Sequence, residues 1–75
     1  MGKLPRPNGK EMVQFLVRRG FTIVRIRGSH HFMESATRRT SVPVHGNRRL
    51  KIGTLRSILR DIDVSPAEFE QEWSI

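Results

Sequence analysis

A chain of 75 residues with 14 Lys and Arg against 7 Asp and Glu, a formal net charge of +7 and no cysteine has room for one small domain. It can hold no disulfide framework, thiolate nucleophile or cysteine-based zinc site. No stretch reaches the roughly 20 apolar residues of a membrane-spanning helix, and the basic opening residues lead into no apolar run of the secretory kind, so one soluble cytoplasmic domain over residues 1–75 with no membrane partner is expected. All Lys and Arg lie at or before Arg60, opposed there only by Glu11 and Glu34, whereas Asp61, Asp63, Glu68, Glu70 and Glu72 fall beyond it. A basic body suits a polyanion, because phosphate contacts add and long-range attraction speeds encounter.

Pro5 and Pro7 keep the start extended, and Asn8 is a cap for a helix over residues 9–19 that Gly20 stops. Met12, Val13, Phe15, Leu16 and Val17 give that helix a wide apolar face. Residues 21–27 are rich in β-branched side chains and predict a strand with Val24 and Ile26 on one side and Arg25 and Arg27 on the other. Gly28-Ser29 supplies a turn, residues 30–34 a second strand, residues 35–39 a polar loop, and residues 40–44 a third strand that Pro43 shortens or confines to an edge. After the Gly46-Asn47 break and the basic Arg48-Arg49, residues 51–62 predict a second helix, with Leu50, Leu55, Ile58, Leu59 and Ile62 on one face. Ser65 as cap, Pro66 at the first position, Glu68 closing a capping box and Val64 stapled to Phe69 then start a short helix that runs to about Trp73. The sum is an α+β fold: a three-stranded antiparallel sheet with helices packed on one face and the other face free for a partner.

Two adjacent imidazoles follow the first turn, and an unperturbed imidazole, with a pKa of about 6.5, exchanges a proton near neutral pH. Neighbouring side chains of a strand point to opposite faces, so His30 and His31 cannot both address one phosphate or one metal ion, and one should be functional while the other is structural. His30 shares its parity with Phe32 and His31 with Met33, which leaves open which of them faces the partner. RNA can be cut without a metal ion or cofactor when a base takes the proton of a ribose 2′-hydroxyl and cations stabilise the charge on the phosphoryl oxygens. Candidate donors are Arg25, Arg27, Lys51 and the backbone amides of Gly28 and Ser29; the Ser29 hydroxyl either binds phosphate or only fixes the turn. A three-histidine metal site of His30, His31 and His45 is disfavoured because the adjacent pair diverges. Two other readings use the same features: a non-catalytic RNA-binding module, for which a basic surface suffices, and a protein-interaction domain whose charge serves solubility.

Three blocks carry more than this chemistry: Arg27-Gly28-Ser29-His30-His31-Phe32, then Ser41-Val42-Pro43-Val44-His45-Gly46-Asn47, then Lys51-Ile52-Gly53-Thr54-Leu55-Arg56-Ser57-Ile58-Leu59. In this order, and with an opening helix followed by Arg18-Arg19-Gly20-Phe21, the chain resembles HicA-type toxins over nearly its whole length. The resemblance implies a fold similar to the double-stranded-RNA-binding domain, in the order α-β-β-β-α with the short C-terminal helix appended. It also implies cleavage of messenger RNA by a single histidine, and neutralisation by a HicB-type antitoxin. The family's catalytic histidine follows the Gly-Ser pair and corresponds to His30, with His31 as the alternative because some members carry theirs one residue later. The first helix, the sheet and its loops would grip RNA, and the antitoxin would cover the histidine and its basic surroundings.

Overall fold

The first helix of the computed structural model, which describes residues 4–73, begins on a reciprocal cap. The Asn8 side chain accepts the Glu11 N–H at 2.9 Å, and the Glu11 carboxylate accepts the Asn8 N–H at 2.9 Å. Helix α1 (Gly9–Arg18) buries Gly9, Met12, Phe15 and Leu16. Val17, expected on the same face, is 52% exposed; at 3.6 residues per turn it sits roughly 140° round the helix from Met12, off the buried stripe.

Strands β1 (Thr22–Arg27), β2 (His30–Glu34) and β3 (Arg39–Pro43) form an antiparallel meander in the order β1-β2-β3. Gly28 has a φ of 59°, and Ser29 is not among the positive-φ residues. Positive φ at the first central position alone defines the type II′ hairpin turn, whose twist matches the strands it joins. Arg27 and His30 are therefore the closing pair. Between Ile23 and Arg25 the register shifts, leaving Val24 as a bulge. The bulge changes the expected pattern: Ile23, opposite Met33, shares the side of Ile26, opposite His31, while Arg25 and Arg27 stay together on the other side. Strand β3 starts and ends one residue earlier than expected, at an edge and at Pro43, yet the Val44 N–H still donates to the Ser29 carbonyl at 2.7 Å.

Helices α1 and α2 (Ile52–Asp61) cover one face of the sheet and pack mainly on β3. Beneath them Met33 and Val42 are fully buried with Met12, Leu16, Leu55, Ile58 and Leu59, and Leu50 and Ile62 complete the core, as the apolar periodicity predicts. Every residue of β1 remains exposed, including Ile23 and Ile26. Helix α3 (Pro66–Trp73) starts on Ser65, whose hydroxyl accepts the Glu68 N–H at 3.0 Å. The Glu68 carboxylate lies 3.6 Å from Arg19, and among the described residues it makes no return bond to Ser65. Phe69 docks edge-on against Phe15 with centroids 5.0 Å apart, and Trp73 packs 5.3 Å from Phe69. The order and layering are those of the expected α+β fold and are consistent with a double-stranded-RNA-binding architecture. Among the described residues no helix is long and apolar enough to cross a membrane.

One contact ties the helix layer to the end of the sheet. A Cβ on Gly9 would strike the Pro43 carbonyl oxygen and lie 2.7 Å from the Val44 Cα, so the start of α1 presses on the strand end that lies opposite His30. Gly9→Ala should therefore cost about 1–3 kcal/mol in urea unfolding. Gly53→Ala, in α2 with open space around it, should gain up to about 1 kcal/mol. Equal effects of the two substitutions would contradict this packing.

Candidate nucleic-acid interface

The fully buried Met33 fixes which way β2 faces. Its neighbour in parity, His31, turns toward the helix side, opposite Ile26 on β1 and Val42 on β3. There it is half-buried, and its Nδ1 is enclosed with no hydrogen-bond partner among the described residues. His30 and Phe32 turn to the other face, which no helix covers. His30 is exposed, flanked by Arg27 across one strand boundary and Pro43 across the other. The alternative that parity leaves open in the sequence is thus separated by geometry: one imidazole meets solvent, the other the underside of the sheet.

On the open face the Arg25 guanidinium lies 6.0 Å from the centre of the Phe32 ring, and the His30 and Phe32 rings are 6.4 Å apart at a tilt of 41°. Arg27 stands beside His30, and Arg39 lies opposite Glu34 at the far end of the strands. At the near end, the hairpin presents the Gly28 and Ser29 N–H groups, which have no acceptor among the described residues. The Ser29 hydroxyl likewise makes no hydrogen bond there, whereas its carbonyl anchors Val44. Free amides of a turn and a row of guanidinium groups are suited to phosphate oxygens.

Glu34 stands on this face opposite Arg39, while the other acids with printed partners are engaged elsewhere. The Arg19 guanidinium donates to both Glu72 carboxylate oxygens at 2.8 and 2.7 Å and approaches Glu68. Arg38 pairs with Asp63 at 3.6 Å, and Asp61 accepts the Thr40 hydroxyl at 2.9 Å. None of these contacts takes Arg25, Arg27 or Arg39, so the sheet face keeps its positive charge around His30.

Lys51 lies apart from this row, immediately before α2, where it lines a depression with Pro43, His45, Arg48, Arg49 and Thr54. Pro43 is the shared border, since it also lies opposite His30. His45 belongs to this second depression, so the three histidines do not converge; among the described residues no group of three His, Asp or Glu side chains could hold a metal ion. Sequence reasoning assigned no role to Phe32 or Arg39. Their signal was the parity they share with His30 across the sheet, which is readable only once Met33 is known to be the buried mate. The assembled face sets the exposed His30 imidazole in register with Arg27, with the Arg25 guanidinium and the Phe32 ring next along the strands.

A family model described as the HicA toxin of bacterial toxin-antitoxin matches residues 9–64, from the first residue of α1 to just beyond α2. No curated protein matches the chain.

If His31 serves only the sheet, replacing it should remove an unsatisfied buried nitrogen without loss. His31→Leu should keep the fold and raise stability by about 1 kcal/mol in urea unfolding; a loss of that size would mean the imidazole is held by a partner.

Proposed function

The chain belongs to the HicA toxin family of bacterial toxin–antitoxin systems, and from that premise we propose that it is a metal-independent endoribonuclease that cuts messenger RNA with His30 as general acid or base. The observation that carries this reading is the exposed His30 imidazole on an uncovered sheet face, beside Arg27 and close to Arg25, neither of which makes an ion pair among the described residues.

In the proposed reaction the ribose 2′-oxygen bonds to phosphorus and the bond from phosphorus to the next nucleotide's 5′-oxygen breaks, leaving a 2′,3′-cyclic phosphate and a 5′-hydroxyl. One proton leaves the 2′-hydroxyl and one reaches the departing oxygen. His30 carries one of the two transfers and water the other. Arg25, Arg27 and the Gly28 and Ser29 amides hold the phosphoryl oxygens as charge builds on them. Lys51, across Pro43, extends the grip along the backbone. His31 supports the strand from beneath. No cofactor enters the scheme.

A toxin of such a system has an antitoxin partner. We infer a HicB-like protein whose acidic groups cover His30 and the neighbouring arginines, so that inhibition is competition for one basic surface and needs no covalent change.

His30→Ala should lower cleavage of a labelled messenger RNA in chelator by about 10²–10⁴-fold while preserving the folded spectrum and antitoxin binding, and a 2′-deoxy substitution at the cut site should stop the reaction. RNA that is bound but left intact by the wild-type protein would make the chain a binding module. Normal cutting by His30→Ala with loss in His31→Ala would move the role one residue along.

A further inference from the structure

Phe32 is a large aromatic side chain on the solvent side of the sheet, one strand repeat from His30, in a domain whose other aromatic rings, Phe15, Phe21, Phe69 and Trp73, pack in or against the core. A helix does not account for it: no helix covers its face of the sheet, and the half-buried ring lies 6.0 Å from the Arg25 guanidinium and 6.4 Å from the His30 imidazole. Resting on the nuclease reading above, we propose that Phe32, with Arg25, is the stacking platform for one unpaired nucleobase next to the scissile phosphodiester, so that the substrate of this face is single-stranded RNA.

Three features converge on that ligand. The Arg25 guanidinium over the Phe32 ring joins the two kinds of plane on which unstacked bases are held, and neither can be used by a base inside a duplex, where both of its faces are already covered. Arg25 and Arg27, which make no ion pair among the described residues, give the His30 end of the face the charge of a backbone track rather than of a peptide groove. The spacing then links binding to chemistry: a base lying on Phe32 has its own ribose and phosphate at the side where His30 stands, so stacking of one nucleotide aligns the bond to be broken. The architecture resembles a duplex binder, but the open sheet face is built for a strand whose bases have turned outward. Phe32 would act as a positioning residue, with the imidazole doing the proton transfer.

The test uses the full chain and fluorescent oligoribonucleotides, with binding measured in the His30→Ala background so that the RNA stays intact. Adding Phe32→Leu, which keeps apolar bulk but loses the ring, should weaken binding to a single strand by about tenfold or more, and Phe32→Tyr should restore it. A blunt hairpin of the same sequence should bind equally well with either side chain. Scanning the single strand with abasic positions should find one site at which the Phe32→Leu penalty disappears. In cleavage with His30 intact, Phe32→Leu should act chiefly on KM, with Phe32→Tyr close to wild type.

Equal binding by Phe32→Leu and the parent, an equal penalty on the hairpin, or a penalty that no abasic position removes would overturn the stacking site. So would loss of antitoxin binding with RNA binding unchanged, which would give the ring to the protein partner. The two readings fail separately: ring-dependent binding with unimpaired cutting by His30→Ala removes His30 from the chemistry and leaves the platform, whereas ring-independent binding with a dead His30→Ala does the reverse.

Discussion

The register of the β1–β2 hairpin governs everything that the open face can do. A two-residue turn opened by a glycine in the left-handed region locks Arg27 to His30, and from that pair each side chain of β2 is committed to one face. Slipping by one residue would lift Met33 out of the core and send His30 beneath the helices. Full burial of a methionine contributes about 1.5–3 kcal/mol, a large fraction of what a domain this small has in hand. The orientation of the His30 imidazole is thereby set by a hydrophobic neighbour three positions away and by the turn before it.

Most of the acids are engaged in or beside the helix layer. Glu11 caps α1, Glu68 and Glu72 hold Arg19 across the α1–α3 seam, and Asp61 and Asp63 engage Thr40 and Arg38. Exposed ion pairs of this sort contribute at most about 1 kcal/mol each, so their effect on stability is small. They leave Arg25 and Arg27 with no ion pair among the described residues, while Lys10, Arg18, Arg56 and Arg60 stay exposed on the helices.

Most of the fold was legible because its elements rest on local rules. Asn8, Gly20, Ser65 and Pro66 mark helix ends by capping chemistry, and the apolar spacing of Leu55, Ile58, Leu59 and Ile62 survives intact as a buried stripe. Where several residues of one segment were apolar, local pattern fell short: Val17 follows the buried stripe without joining it, and the bulge at Val24 resets the alternation of β1. The candidate site was legible as a list and not as an arrangement. Gly28, Ser29, His30, Arg25 and Arg27 do assemble at one end of one face, but which imidazole joined them depended on which of Phe32 and Met33 was buried, a tertiary fact. Lys51 was close in chemistry and belongs to a neighbouring depression, since nothing in spacing alone relates the start of α2 to the sheet.

The most direct test is a crystal structure of the toxin with a single-stranded oligoribonucleotide whose 2′-oxygens are methylated to prevent cutting. The strand should lie across the uncovered sheet face, with a phosphodiester in hydrogen-bond reach of the His30 imidazole. RNA lying along the helix layer, with that imidazole left in solvent, would contradict it.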